Sequence, residues 1–190
     1  MKKRFMSDKE ENLTGYGVFY EKDKILNKGM DPFVYEGTVK PEWIDINGHM
    51  NVAYYVRAFD LAIDTHWAEL GITADYIENE QYSTFSVESH ITYQNEMRVD
   101  EEYRIISNIL AYDEKRIHLF QTMYKIGAEE TIATAEWMNL HVNLRTRKVC
   151  EWPKTVLDNL RKVSHTQKDR KWPSEAGKRM RVKNPIFSLD

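Results

Sequence analysis

One long helical pattern followed by four strand-like segments constrains the fold of this chain more than any other feature. Over residues 52–70, apolar side chains recur at helical spacing; Asn51 is a suitable N-cap, and Gly71 follows the last turn. Short polar or glycine-containing turns separate the later segments 85–93, 103–110, 117–126 and 131–144. Because tight turns join antiparallel neighbours, the pattern predicts an α+β fold, with an antiparallel sheet packed on one long central helix.

The segments that flank this pattern set the expected domain boundaries. A strand is predicted to run from Glu36 into Pro41, and a short helix over residues 154–163. We therefore predict an irregular N-terminal extension over residues 1–33, one domain over 34–165 and a basic tail over 166–190. The tail is expected to be a solvated, poorly ordered end, with contact to a phosphorylated ligand as the alternative.

Charge and composition exclude several classes of protein. Residues 31–160 hold 11 Lys and Arg against 22 Asp and Glu, a net charge of −11, which argues against binding to nucleic acid. The single cysteine, Cys150, allows neither an internal disulfide nor a cysteine-based zinc cluster. Glycine-rich phosphate loops, a GxSxG elbow and apolar runs of membrane-spanning length are absent. We expect a cytoplasmic protein without a metal or other cofactor and without a membrane partner.

The densest polar cluster lies between the first strand and the long helix. Asp45, Asn47, His49 and Asn51 occupy every second position, so an extended loop would project them to one side. A carboxylate, an amide and an imidazole that converge there could provide a base or nucleophile, an orienting donor and a proton carrier. Ordinary capping and turn formation, aided by Gly48, is the alternative explanation.

This loop resembles the signature of a known enzyme family. The run from Trp43 to Tyr55, WIDINGHMNVAYY, is similar to the D-x-x-G-H-x-N-x-x-x-Y motif of hotdog-fold acyl thioesterases of the 4-hydroxybenzoyl-CoA thioesterase-like superfamily. The order of strands and helix from about residue 36 to 144 is also that of the hotdog fold. The resemblance implies that Asp45 is the catalytic carboxylate and that backbone amides near Val52 polarise the thioester carbonyl.

A second likeness concerns plant-type acyl-ACP thioesterases of the same superfamily. Their catalytic D-x-N-x-H set is reproduced by Asp45, Asn47 and His49, and their later acidic residue corresponds to Glu96 in the run YQNEMRVD. Met97 stands where those enzymes have a cysteine, and Gln94 and Asn95 replace two arginines, which argues against ACP as the carrier. The resemblance thus implies four catalytic residues: Asp45, Asn47, His49 and Glu96.

Hydrolysis of an acyl-CoA thioester is the function that these likenesses imply. The expected substrate-binding residues share the loop or the helix that follows it: Gly48, Asn51, Val52, Tyr54, Tyr55 and Trp67. The phosphates of CoA are expected to meet basic side chains, with Arg57, Arg98, Arg145, Arg147 and the tail as candidates. A sheet with one covering helix also predicts a homo-oligomer, either a dimer or a tetramer.

The acyl group is less constrained by the sequence. Residues 41–50 resemble thioesterases that hydrolyse betainyl-CoA, and aromatic residues that could enclose a quaternary ammonium group lie near the motif: Trp43, Tyr54, Tyr55, Phe59 and Trp67. Other short acyl-CoA substrates, an acyl-ACP substrate, a 3-hydroxyacyl-CoA dehydratase and a non-catalytic acyl-CoA-binding protein are the alternatives. Gly48 occupies the position at which hydratase-type D-x-N-P-x-H motifs carry proline, which favours hydrolysis.

Overall fold

The computed structural model describes residues 33–128 and 130–180. Six strands and two α-helices make up its regular structure. In chain order they are β1 (Val34–Thr38), α1 (Val52–Glu69), β2 (Tyr82–Tyr93), β3 (Glu102–Tyr112), β4 (Arg116–Lys125), β5 (Glu130–Asn143), β6 (Lys148–Val149) and α2 (Lys154–Gln167). A short 3₁₀ turn (Pro41–Trp43) precedes α1, and a π-helical turn (Tyr76–Glu80) precedes β2.

All strands belong to one antiparallel sheet. The strand order is β1-β3-β4-β5-β2, and β6 pairs with the end of β5. The hairpins β3–β4 and β4–β5 have tight turns. Strand β2 pairs directly with β5, although the β3–β4 hairpin separates these two strands in the sequence. Within the described residues this order leaves β1 and β2 as the edge strands. The predicted α+β architecture is confirmed.

Helix α1 forms the core with the inner face of the sheet. Its buried side chains recur at three- and four-residue spacing: Tyr55, Ala58, Phe59, Ala62, Ile63, His66 and Trp67. Gln121 of β4 fixes the contact because its side-chain amide donates to the Phe59 carbonyl at 3.1 Å and its oxygen accepts the Trp137 indole N–H at 2.9 Å. A fully buried glutamine is thereby satisfied by both layers.

The sequence-based element bounds need several corrections. Helix α2 continues to Gln167 rather than ending at residue 163, because Val156 and Leu160 are buried and Gln167 binds the β3 backbone: its Oε1 accepts the Ile109 N–H at 2.9 Å. Strand β1 covers Val34–Thr38 instead of running from Glu36 into Pro41, where a 3₁₀ turn follows. This turn, the π-helical turn and β6 were not predicted. The predicted N-terminal extension lies almost entirely on residues 1–32, outside the described residues.

The start of the predicted tail packs on the outer face of the sheet. Trp172 meets the His118 ring edge-on at 5.9 Å, and the Gly177 N–H donates to Glu136 Oε2 at 2.8 Å. Glu136 Oε1 also pairs with His118 Nε2 at 2.7 Å. Residues 171–180 are largely exposed, as expected for a solvated tail, but they contact the sheet at Trp172 and Gly177, which was not predicted.

Candidate active site

The polar motif forms a closed turn between two backbone anchors. Ile44 and Met50 form an antiparallel bridge, and the Asp45 N–H donates to the His49 carbonyl at 3.0 Å. Gly48 adopts a positive φ of 82°, which an L side chain rarely tolerates. Because the chain reverses within these few residues, the alternating polar side chains are held on a rigid loop instead of an extended one.

The Asp45 carboxylate is oriented by two donors. Its Oδ1 accepts the Asn47 backbone N–H at 2.8 Å, and its Oδ2 lies 3.5 Å from the Asn51 side-chain nitrogen. The side chain is half-buried, so substrate or water can still reach it. Asn51 also caps α1, since its Oδ1 accepts the Ala53 N–H at 3.0 Å. One amide side chain thus joins the carboxylate to the start of the helix.

The first turn of α1 contributes a free backbone donor. The Ala53 N–H is taken by the Asn51 side chain and the Tyr54 N–H by the Asn51 carbonyl at 2.9 Å. Within the described residues the Val52 N–H has no acceptor, and Val52 itself is exposed. A free amide at a helix N-terminus favours negative charge, so it suits an oxyanion that develops beside Asp45.

The other predicted catalytic residues of the loop lie nearby with different surroundings. His49 is half-buried, and its Nδ1 donates to the Met50 carbonyl at 3.2 Å, which leaves Nε2 available to carry a proton. Asn47 and Gly48 are exposed. In the part of the chain that the structure describes, no hydrogen bond links the His49 or Asn47 side chain to the Asp45 carboxylate.

Glu96 reaches the loop through its neighbours. The Met50 N–H donates to the Met97 carbonyl at 2.7 Å, and the Met97 N–H donates to the Tyr55 hydroxyl at 3.2 Å. The Glu96 side chain is exposed and pairs with Arg98 at 2.8 Å. The structure therefore brings the backbone of this segment to the loop, while the Glu96 carboxylate points to an arginine rather than to Asp45.

Of the aromatic residues predicted to bind substrate, Tyr54 lies at the loop surface, whereas Tyr55 and Trp67 are buried in the core. Tyr54 stacks on Trp43 with ring centroids 5.4 Å apart, next to the loop. Tyr55 is buried, and burial raises the pKa of its hydroxyl. Trp67 is also buried, but it lies fifteen residues after Val52, about 22 Å along the helix at ~1.5 Å per residue. Within one chain the structure does not bring Trp67 to the motif.

One exposed aromatic residue near the loop was not predicted. Tyr93, the last residue of β2, meets the Tyr55 ring edge-on at 5.3 Å and is 47% exposed. In the sequence Tyr93 is one of several apolar residues in an alternating strand. Nothing in that pattern distinguishes it, because its proximity to the motif depends on the contact between β2 and α1.

A second polar cluster is centred on a fully buried histidine. His141 Nδ1 donates to the Glu151 carbonyl at 2.9 Å, and its Nε2 accepts the Tyr76 hydroxyl at 2.7 Å. Its ring stacks on Trp152 at 4.4 Å. Burial lowers the pKa of His141, which keeps the ring neutral. Both ring nitrogens are occupied by the protein, so this cluster is structural.

Comparison with known proteins now places the chain in a family. The family model of the thioesterase-like superfamily matches residues 39–160, a range that contains the motif loop, α1 and the strands β2 to β5. The chain belongs to the thioesterase-like superfamily. The family, the hotdog fold and the thioesterase class predicted from the motif are thereby confirmed.

Individual relatives of this thioesterase-family chain are similar over most of its length. A betainyl-CoA thioesterase from Pseudomonas aeruginosa is 28% identical over 144 residues, which are 76% of this chain and 91% of that protein. An L-carnitine dehydrogenase/betainyl-CoA thioesterase from a Rhizobium species is 34% identical over 140 residues. That match covers 74% of this chain but 28% of the Rhizobium protein, so the chain corresponds to one part of a longer relative.

A solved structure supports the same placement. A protein from Staphylococcus aureus, determined in complex with CoA, superposes with a TM-score of 0.75 at 29% identity. The superposition covers 79% of this chain and 94% of that one.

Among the described residues of the present chain, no helix has the length and apolarity to cross a membrane.

Proposed function

We propose that this chain hydrolyses the thioester bond of an acyl-CoA, releasing a carboxylic acid and free CoA. The observation that carries the proposal is the Asp45 carboxylate, which the Asn47 N–H and the Asn51 side chain orient while Asn51 also caps α1, whose Val52 N–H has no acceptor within the described residues. A carboxylate next to an oxyanion donor is what acyl transfer to water requires.

The reaction follows from this arrangement. The thioester carbonyl oxygen accepts the Val52 N–H, and Asp45 either attacks the carbonyl carbon or removes a proton from a water that attacks it. The tetrahedral intermediate collapses by cleaving the carbon–sulfur bond. If Asp45 attacked, the product is a mixed anhydride of Asp45 that water then hydrolyses; if Asp45 took a proton from water, the carboxylic acid forms directly. In both routes the proton released by water passes to the departing thiolate, and His49 Nε2, which has no partner among the described residues, is placed to relay it. With water as the second reactant, the products are one carboxylic acid and one thiol.

Supporting roles fall to the residues that surround Asp45. Gly48 permits the turn, Asn51 orients the carboxylate, and the exposed Asn47 side chain can position water. Glu96 would act on the reaction only after its carboxylate leaves Arg98, so we assign it a weaker role than Asp45 or His49.

Betainyl-CoA is the substrate that we favour among short acyl-CoA thioesters. The P. aeruginosa and Rhizobium relatives carry this substrate in their names, and the aromatic residues near the loop provide surfaces on which a quaternary ammonium group binds well. CoA as the carrier is supported by the S. aureus protein. Exposed arginines that could meet the phosphates of CoA are Arg98, Arg145 and Arg147.

A second copy of the chain is the partner that we propose. Strand β2 is twelve residues long, lies at the edge of the described sheet and exposes Val87 at its centre. An uncovered edge of this length readily pairs with another strand, and antiparallel pairing of two β2 strands would form a symmetric dimer. A cytoplasmic location stays the prediction from the sequence.

Release of free CoA is the measurement that tests the function. The protein is mixed with betainyl-CoA, acetyl-CoA and a longer acyl-CoA, and a thiol-reactive dye reports each free thiol. We expect dye reaction with at least one thioester and its loss in Asp45→Asn. Loss of enoyl absorbance from an enoyl-CoA without thiol release would identify a hydratase instead, and binding without either signal would identify an acyl-CoA-binding protein.

A further inference from the structure

Recognition of a betainyl group presents a particular chemical problem. Its trimethylammonium carries a full positive charge but has no N–H donor, so hydrogen bonds to the nitrogen are impossible. An aromatic face is a surface that attracts such a cation without needing a donor. The inference below rests on the proposed function, because it concerns the acyl group of that same reaction.

Most aromatic residues near the loop cannot provide this surface. Trp43 is only 4% exposed; Tyr54 stacks on it, and the Lys40 ammonium lies 5.9 Å from its ring centroid. Tyr55 and Phe59 are buried in the core. A cation therefore has no open face at Trp43, Tyr55 or Phe59.

Tyr93 differs from these residues in exposure while remaining connected to the motif. Nearly half of its side chain is exposed, and its ring contacts Tyr55, whose hydroxyl accepts the Met97 N–H. The Met97 carbonyl in turn holds the Met50 N–H, one residue after His49. Through this series of contacts, the Tyr93 ring is fixed relative to the catalytic loop.

Nearby carboxylates do not compete for the cation. Glu96 is paired with Arg98 at 2.8 Å, and Glu101 is paired with Lys125 at 2.5 Å. Each negative charge is thus largely balanced by a partner. Around Tyr93, the open aromatic ring rather than Glu96 or Glu101 is therefore the element that can discriminate a cationic acyl group from a neutral one, while the Asp45 carboxylate lies at the thioester carbonyl.

We propose that Tyr93 is the residue that determines specificity for a quaternary ammonium acyl group. Its ring contacts the trimethylammonium by a cation–π interaction while the thioester carbonyl lies at the start of α1. Tyr93 has no role in the chemical step, so its loss should change the choice of substrate and leave the rate on neutral thioesters nearly unchanged.

The test uses two thioesters of the same shape. Betainyl-CoA and 3,3-dimethylbutyryl-CoA differ only in a nitrogen cation against a carbon, so the ratio of their kcat/KM values isolates the charge. We expect the intact protein to prefer betainyl-CoA by about tenfold, within the range of a cation–π contact. Tyr93→Leu should reduce this ratio to about one, and Tyr93→Phe should retain it.

Controls distinguish the role of Tyr93 from the proposed thioester hydrolysis. Tyr124→Leu, which removes a half-buried tyrosine from β4, should leave the ratio unchanged, and circular dichroism checks that each variant folds. Hydrolysis of neither thioester by the intact protein would overturn the betainyl-CoA assignment, and if acetyl-CoA and the longer acyl-CoA also release no thiol, the proposed function falls with it. Hydrolysis of both with a ratio near one in the intact protein, an unchanged ratio in Tyr93→Leu, or a lost ratio in Tyr93→Phe would overturn only the role of Tyr93.

A second measurement covers the case in which Tyr93→Leu does not fold. Tetramethylammonium should inhibit the intact protein competitively against betainyl-CoA, and Tyr93→Phe should keep the same inhibition constant within about twofold. Absence of competitive inhibition would contradict an open cation-binding ring at this position.

Discussion

The two histidine clusters of this protein use similar groups for opposite purposes. At the start of α1, His49 has one ring nitrogen bonded and one free, the Val52 N–H has no acceptor within the described residues, and Ile46 is fully exposed. Around His141, both ring nitrogens are bonded, the ring is stacked on Trp152, and the side chain is fully buried. Polar groups with unused bonding capacity face the solvent at the first site. At the second site the histidine has none, and the Trp152 indole nitrogen is buried without a hydrogen-bond partner among the described residues.

This difference indicates how a functional cluster can be distinguished from a structural one. A buried histidine with two partners is stable because each polar atom has exchanged water for protein. A half-buried carboxylate held by two donors beside a free N–H is oriented but not fully satisfied, so a substrate can complete its bonding. A functional site is therefore recognised by oriented polar atoms that keep unused hydrogen-bonding capacity, and not by its residue types alone.

The largest expected effect comes from the carboxylate of the open cluster. Asp45→Asn should lower kcat for thioester hydrolysis by at least about a hundredfold, because the amide is neither a base nor a nucleophile. Its thermal unfolding should change little, since the hydrogen bond from the Asn47 N–H can be kept. Steady-state kinetics with the exposed Asp60→Asn as a control provides the check, and retained activity in Asp45→Asn would refute the assignment.

The closed cluster should respond in stability rather than rate. His141→Ala removes two hydrogen bonds and a stacked ring from the interior and should lower the free energy of unfolding by about 2–4 kcal/mol, measured by denaturant titration. The kcat of the folded fraction should stay near the original value. A large loss of kcat without loss of stability would contradict the structural role of His141.

The same cluster predicts a pH dependence of stability. Because burial lowers the pKa of His141 in the folded state, the unfolded chain binds a proton first as the pH falls below about 6.5. The free energy of unfolding should therefore decrease from about pH 6.5 down to the lowered pKa and then level off. Subtracting the profile of His141→Ala from that of the intact protein isolates this contribution, and a difference that is flat across the window would contradict it.

Within the open cluster, a smaller effect should rank the two remaining candidates. His49→Ala should reduce kcat by about tenfold or more, whereas Glu96→Gln should do less because its carboxylate is paired with Arg98. Both variants should unfold at temperatures close to that of the intact protein. If Glu96→Gln is as damaging as Asp45→Asn and His49→Ala is nearly silent, two carboxylates perform the chemistry and His49 serves the loop structure.

The smallest expected effect concerns a carboxylate that belongs to neither cluster. Burial, with Asp60 as a secondary cause, raises the pKa of Asp64 to about 7, and its Oδ2 is buried without a hydrogen bond from any described residue. A pKa that is higher in the folded state means that stability is lost as the pH rises from about 4 through 7. Asp64→Asn should raise the melting temperature by about 2–4 °C at pH 8 and by little at pH 4. An equal shift at both values would contradict ionisation as the cause.

The sequence predicted well those parts whose determinants are local. Helix α1 ends within one residue of the predicted range. Its N-cap Asn51, its helical spacing of apolar residues and the glycine that follows it, Gly71, all lie within or next to the segment itself. Recognition of Asp45 likewise used one short motif. His141 could not be recognised, because its hydrogen-bond partner Tyr76 lies 65 residues away. The docking of Trp172 and Gly177 on the sheet was missed for the same reason.

The dual bonding of Asn51 narrows what the sequence can tolerate at that position. Aspartate, serine or threonine could each cap a helix as well as asparagine does. Aspartate, however, would place a second carboxylate against Asp45, and the shorter hydroxyl residues lack an amide nitrogen to reach Oδ2. Only one of the usual capping residues serves both neighbours, so a substitution that leaves the fold intact can still misalign the reactive oxygen. Screens that score stability alone would pass such variants as neutral.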